Sequence, residues 1–331
     1  MTEEEMRPER YIREKQEIHK NCTDELLTRK ESFVFVPCPA CARHEFSPAF
    51  AKGGFSFVTC AYCATIYVNP RPTFQMLMEY QAASHEAARI WVEKIYPISE
   101  PVRREHIFKP RAMKVVDLVK KYHCGTTRIV DVGAGFGTFG EEIANLRFFE
   151  EVILVESGAL CAENCRRKGL TVIEAPIEEV EIDQVDILTN FELIEHLFDP
   201  KEFILSCRRN LTRNGLLIIS TPNAKGFDMR TLGRLSGTYQ APLHINYFHT
   251  GSLGLLLENC GFETVEVLTP GVLDAELVRK KVLSNEFSVE DNPFLRSVLI
   301  DNWEELGGHF QNFLAVNNLS SHMWAVARRM D

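Results

Sequence analysis

The chain has 331 residues, 45% of them hydrophobic and 25% charged, and carries a formal net charge of −9. That length holds one large α/β domain plus one or two small additions. The acidic balance disfavours a general nucleic-acid surface, because phosphate binding calls for a basic face. No run approaches the ~18 apolar residues of a membrane span. The opening Met-Thr-Glu-Glu-Glu-Met-Arg lacks the apolar core of a signal peptide. A cytoplasmic location is expected, so the ten cysteines read as metal ligands and buried thiols, not disulfides.

Residues 1–31 are dense in both charge signs and poor in large apolar groups, which predicts a charged N-terminal helix or arm. Residues 32–72 hold Cys38-Pro-Ala-Cys41 and Cys60-Ala-Tyr-Cys63. Eighteen residues (42–59) separate the pairs, a spacing that suits one tetrahedral zinc ion bound by Cys38, Cys41, Cys60 and Cys63. Protein fills all four ligand positions, so the ion is expected to be structural. A redox role fits less well, because neither pair opens a helix after a strand. The runs 33–36 and 55–58 read as hairpin strands, with a turn at Gly53-Gly54. Residues 73–125 are helical in composition, broken at Pro97, Pro101 and Pro110. They read as a linker that covers the active site.

From 126 onward the pattern changes. Short apolar runs at 128–132, 151–156, 170–173, 184–188 and 216–220 alternate with helical patterns at 138–147, 158–168 and 200–211. That alternation predicts a parallel, doubly wound α/β sheet. A helix at 252–260 and strands near 262–268 and 322–328 complete it, with insertions at about 224–250 and 271–320. After the first of these runs comes Asp131-Val-Gly-Ala-Gly-Phe-Gly137. Gly133, Gly135 and Gly137 let the backbone turn sharply and approach a ligand closely. Glu156, one strand on, can accept both hydroxyls of a ribose. Asp131 can hold an ammonium group or orient the loop.

These motifs, with Thr189-Asn190-Phe191 and Gly215-Leu-Leu-Ile-Ile-Ser-Thr-Pro-Asn223, resemble the successive motifs of class I S-adenosylmethionine-dependent methyltransferases. The resemblance covers roughly 110–270 and the terminal strand. It implies a seven-stranded Rossmann-like sheet behind a small zinc ribbon, in a core spanning 126–331. It also implies that Gly133 and Gly135 line the methionine part of the cofactor, Glu156 binds its ribose, Ala175 and Pro176 lie by its adenine, and Asp131, Gly137 and Asn190 complete the site. A nicotinamide enzyme on a similar fold is the alternative, since a fold alone does not settle chemistry.

Glu192, Glu195 and His196 stand at i, i+3 and i+4, and on a helical turn they share one face. Two carboxylates and an imidazole can bind a divalent ion or orient a base. The segment is similar to that of ubiquinone-pathway O-methyltransferases and of small-RNA 2′-O-methyltransferases. In those, such residues contact Mg2+ or Mn2+; in the RNA enzymes a later histidine joins them, and His244 is the candidate for it here. The same words also occur in related enzymes without a metal, where they shape the pocket. His244 and His249 precede a predicted helix, and each is a candidate general base or a helix cap.

On the substrate side, Arg71 and Arg230 are candidates to meet an anionic group. Tyr239 and Tyr247 lie in the insertion over the pocket. Neither an Asn-Pro-Pro-Tyr nor a Pro-Cys motif follows the fourth core strand, which argues against base N6 and cytosine C5 chemistry. The stretch 221–248 resembles bacterial methyltransferases that act on surface polysaccharides or nucleotide-linked sugars. The ribbon resembles that of zinc-bearing deoxysugar C-methyltransferases, but no stretch here is expected to form their large C-terminal domain, which argues against deoxysugar C-methylation. The expected activity is methyl transfer to a hydroxyl of a sugar, nucleotide-sugar or other small molecule. An RNA 2′-O-methyltransferase and a catalytically inactive zinc-ribbon adaptor are the competing readings.

Overall fold

A computed structural model describes residues 8–331. The first part of the predicted N-terminal arm, residues 1–7, lies outside the described residues. A helix runs from Glu9 to Leu27 and docks through buried Leu26 and a His19–Tyr80 hydrogen bond.

The strands are β1 (Phe46–Lys52), β2 (Phe55–Cys60), β3 (Ile66–Val68), β4 (Arg128–Val132), β5 (Glu151–Val155), β6 (Thr171–Ile173), β7 (Val185–Phe191), β8 (Leu211–Pro222), β9 (Asn246–Tyr247), β10 (Phe262–Leu268) and β11 (His322–Arg329). Seven of them form one sheet in the order β10-β11-β8-β7-β4-β5-β6. Neighbours from β6 to β8 are parallel, while β11 runs antiparallel to β8 and β10. The predicted seven-stranded, doubly wound sheet is present. Strand order reverses at β4, with β5 on one side and β7 on the other. Ligands of such sheets bind beyond the carboxyl ends of the strands at that point.

Both faces are covered, so the central strands are apolar on both sides. Leu216 and Ile218 of β8 pack on one face with Val115 and Ile143. Leu217 and Ile219 pack on the other with Phe203, Leu253 and Leu257. Cys38, Val58, Cys60 and Tyr67 belong to this second cluster. The cysteine module therefore shares the core of the large sheet.

The segment 33–36 does not form the predicted strand. It makes one isolated bridge, Val34 to Arg71. The true partner of β2 is β1, an exposed edge strand whose register shifts between Pro48 and Phe50. Proline cannot donate to a ladder, so strands carrying one sit at edges or bulges, and their sequences look like loops. The Gly53-Gly54 turn is as expected, with φ of 57° and 84°. In the cover, Pro97, Pro101 and Pro110 do not break the helical path from His85 to Lys121. Widened π turns at Trp91–Ile95 and Arg104–Phe108 come just before Pro97 and Pro110. Such turns accommodate a disrupted hydrogen-bond ladder without ending the helix.

The insertion at 271–320 folds as helices Asp274–Leu283, Pro293–Arg296 and Trp303–Val316 around a cluster that includes Leu232. The insertion at 224–250 contributes β9, which pairs with β3 in a second sheet, β1-β2-β3-β9. No described helix is long and apolar enough to cross a membrane.

Candidate active site

The glycine turn leaves β4 with φ of 72° at Gly133, 53° at Gly135 and 71° at Gly137. A Cβ at Gly133 would fall 2.8 Å from Leu193, and one at Gly137 2.7 Å from the Cys165 sulfur. At Gly135 it would meet no atom within 4 Å. Two glycines are needed for internal packing, and the middle one faces open space. The Glu156 carboxylate accepts the Gly135 N–H at 2.8 Å and the Gly158 N–H at 2.7 Å. Burial pushes its pKa up and the two amides pull it back, for a net rise. Its remaining lone pairs can still accept from a ribose.

Asp131 is buried and accepts the Thr189 hydroxyl at 2.7 Å. Burial lifts its pKa from 3.8 to about 7, against the pull of Thr189 and Arg111. Asn190 donates to the Val132 carbonyl at 3.1 Å, and its Oδ1 is buried without a partner among the described residues. A buried orphan acceptor is rare and wants a donor. Ala175 is half-buried against the sheet core and Pro176 is exposed beside it, just past β6.

Glu192, Glu195 and His196 do not share one helical face. Residues Ile194–His196 form a single 3-10 turn, and Glu192 precedes it with a left-handed φ of 56°. That bend sends the two carboxylates apart. Glu192 accepts the Ser220 hydroxyl at 2.8 Å and faces His322 Nδ1 at 3.3 Å. The other His322 nitrogen accepts the Trp324 N–H at 3.1 Å, so Nδ1 carries the proton toward Glu192. Burial would raise the Glu192 pKa, but His322, Ser220 and Arg111 outweigh it and hold the group at about 2. The Glu192 side chain keeps 42% of its surface accessible. The Arg111 guanidinium lies 4.2 Å over the Phe191 ring, within the fields of Glu192 and Asp131, and its Nε has no hydrogen-bond partner among the described residues.

Glu195 has the opposite environment. It is 1% exposed and accepts the Thr221 hydroxyl at 2.9 Å. Burial and the charge of Glu192 push its pKa well up. Environments that split two carboxylates this way give them different chemical roles. His196 donates Nδ1–H to the Leu243 carbonyl at 2.8 Å, and His244 donates Nδ1–H to the Thr238 carbonyl at 3.0 Å. Carbonyls only accept, so in each ring Nε2 keeps the lone pair. The rings sit edge to face at 4.6 Å, and ligand atoms of Glu195, His196 and His244 lie within 4.8 Å of one another. Three of the four residues expected to converge do so, and Glu192 turns away.

The structure gives His249 a different task from the expected base. Nδ1 accepts N–H groups of Gly251 and Ser252 as the cap of helix Thr250–Asn259, and Nε2 donates to the Cys63 carbonyl at 2.8 Å. Neither nitrogen is left for substrate. Arg71 is likewise corrected: it is 1% exposed and bonds three protein oxygens, so no anion reaches it. Tyr239 and Tyr247 pack at tilted and edge-on angles within a buried aromatic group with Phe57, and the Tyr247 hydroxyl donates to the His244 carbonyl. Arg230 is exposed, on a groove with Lys225, Phe227 and Leu319.

The four predicted cysteines converge. Cys38 and Cys63 sulfurs lie 3.4 Å apart, Cys41 and Cys60 sulfurs 3.5 Å, and all four fall within 4.8 Å. A tetrahedral site with ~2.3 Å bonds has edges of about 3.8 Å. The two knuckles repeat one conformation. Ala42 (φ 59°) bonds back to the Cys38 carbonyl, as Ala64 (φ 57°) does to that of Cys60.

A methyltransferase-domain family matches residues 41–267, more than half of this chain. The chain belongs to that methyltransferase family. A Mycobacterium tuberculosis protein, "Probable S-adenosylmethionine-dependent methyltransferase", is 29% identical over 184 residues, 54% of this chain and 64% of that protein. The ubiquinone biosynthesis O-methyltransferase of Roseobacter denitrificans is 31% identical over 120 residues, 32% of this chain and 46% of that one. The chain thus spans less than two thirds of either relative's length. A solved SAM dependent methyltransferase from Archaeoglobus fulgidus is similar at a TM-score of 0.48 and 19% identity, over 72% of this chain and all of that one.

Sequence reasoning missed Arg111 and His322, which the fold brings to Glu192. Arg111 is one of many basic residues in a helical segment, and nothing in its neighbours distinguishes it. His322 lies about 130 residues from Glu192, and only the antiparallel pairing of β11 with β8 brings them together.

Proposed function

We propose that this chain transfers the methyl group of S-adenosylmethionine to a hydroxyl of a sugar, nucleotide-sugar or other small molecule. One observation carries the reading. Ligand atoms of His196, His244 and the buried Glu195 carboxyl gather within 4.8 Å of one another, at the turn that follows β7.

The residues fit the cofactor. Open space at Gly135 admits it, and the orphan Oδ1 of Asn190 offers it an acceptor. Arg111 suits its carboxylate, while Glu192 and Asp131 suit its ammonium group. Glu156 takes the ribose hydroxyls, with Ala175 and Pro176 at the adenine edge. When bound, the sulfonium supplies an electrophilic methyl. His244 Nε2 removes the acceptor's proton as the oxygen–carbon bond forms. Glu195 and His196 hold the hydroxyl in line. The same three residues would also hold Mg2+ or Mn2+, and in that case the ion would acidify the hydroxyl. Four thiolates would hold a structural zinc ion.

Calorimetry with S-adenosylmethionine and its demethylated product, then mass spectrometry for one added methyl on candidate nucleotide sugars, tests the reading. Uptake of a nicotinamide in place of that donor would overturn it. The metal-capable cluster also favours an RNA 2′-O-methyl acceptor, against the net charge of −9. A gel shift with short RNA separates the two. Turnover on any acceptor eliminates the adaptor reading, and turnover in dialysed protein with and without Mn2+ decides the metal.

A further inference from the structure

Arg71 is among the largest fully buried side chains of the described residues, and it belongs to a loop that follows the second cysteine knuckle. Its Nε donates to the Val68 carbonyl at 3.2 Å, one terminal nitrogen to the Phe198 carbonyl at 3.5 Å, and the other to Asn246 Oδ1 at 3.1 Å. A buried guanidinium needs negative charge nearby. The acidic groups that bear on it are Tyr67, the Cys38 thiol and Asp199. Four thiolates around a divalent ion carry a net charge of about −2, which would supply what Arg71 needs.

Asn246, fully buried, is the second link. Its amide donates to the Leu197 carbonyl at 2.7 Å and the Ile194 carbonyl at 3.3 Å. Those carbonyls bracket the turn that carries Glu195 and His196. The backbone repeats the connection. Tyr67 pairs with Asn246, the Val68 N–H bonds the Ile245 carbonyl, and the Ile245 N–H bonds the Glu195 carbonyl at 2.9 Å. One residue before Ile245 stands His244.

We infer that Arg71 and Asn246 are positioning residues that couple the four-cysteine metal site to the Glu195–His196–His244 constellation. Through these contacts the metal clip acts at the acceptor side of the active site. The inference rests on the proposed methyl transfer only for its kinetic readout. It leaves the cofactor side, at β4 and β5, untouched.

Three variants and one chelation separate the links. Arg71→Met keeps the apolar stem and removes charge and donors. It is expected to weaken zinc affinity and lower kcat, each roughly ten- to hundredfold, the range for partners that orient metal ligands. Arg71→Lys keeps the charge but cannot reach three oxygens, so zinc affinity holds while kcat falls. Asn246→Asp loses the donors to Ile194 and Leu197, with the same split. In all three, calorimetric affinity for S-adenosylmethionine stays within about twofold of wild type, as it does after zinc removal by a chelator. NMR of the His196 and His244 ring protons gives a readout independent of turnover. Both should shift on zinc removal and in Asn246→Asp. Wild-type kcat in Arg71→Lys and Asn246→Asp, or unmoved ring signals after zinc loss, overturns the coupling. If the wild type binds donor but transfers no methyl, the function falls and the NMR arm still decides the coupling. Should Arg71→Met fail to fold, zinc removal and Asn246→Asp remain decisive.

Discussion

Glu192 and Glu195 are three residues apart and carry opposite chemistry. Glu192 sits among His322, Ser220 and Arg111 and stays ionised, while Glu195 is sealed in and favours its proton. Substitutions should therefore separate. Glu195→Gln is expected to lower kcat by about 10²-fold or more, with cofactor affinity kept. Glu192→Gln should weaken S-adenosylmethionine binding by roughly tenfold, which calorimetry measures. Asp131 makes a pH-dependent case. Its folded pKa, about 7, lies above the ordinary 3.8, so the folded state binds the extra proton. Stability tied to this group is full below the ordinary value and falls as pH rises through the folded one. Asp131→Asn removes the titration. It should melt above wild type at pH 8 by roughly 2–4 °C per kcal/mol gained, with the gap closing near pH 4. An equal gap at both pH values would contradict this. The Glu192–Glu195 division was not legible in the sequence, because it depends on one left-handed residue and on a strand far along the chain.

Among the elements, helix Thr250–Asn259 shows how a histidine in a catalytic-looking place can be structural. His249 closes the helix N-terminus and ties it to the Cys63 carbonyl. His249→Ala should cost about 1 kcal/mol of stability, as lost caps do, and leave the pH dependence of methyl transfer unchanged. A lost ionisation in that profile would restore His249 as a base. Spacing alone could not decide between cap and base, because both roles occupy the same position before a helix. The core strands β4, β5, β7 and β8 were readable because buried parallel strands are continuous apolar runs. β1 was not, being an exposed edge with a proline. Nor was β9, whose two residues carry no periodicity to detect.

At the scale of the whole molecule, the cysteine module and the large sheet are not separate bodies. They share a buried cluster, and β9 belongs to the module's sheet although it lies in the core's sequence. A chain beginning at residue 73 would uncover Tyr247 and Phe248, both fully buried, and leave β9 unpaired. It is expected to lose cooperative unfolding and to aggregate, as calorimetry and gel filtration would record. A monomeric, cooperatively melting fragment that binds S-adenosylmethionine would show instead that the domains are independent. By contrast, zinc removal from the intact chain leaves β4 to β8 in place, so donor binding should survive.

By itself the sequence determined the sheet, the glycine turn and the four-cysteine clip, because each is written in local spacing: apolar runs, paired cysteines, glycines after a strand. The tertiary structure alone decided which distant polar residues meet. It buried Arg71 against Asn246, paired His322 with Glu192 across β8, and set Asn246 against the turn of Glu195 and His196. These contacts join residues about 50 to 180 positions apart, and their partners are chosen by packing and by the need to satisfy buried charge, which no short motif encodes.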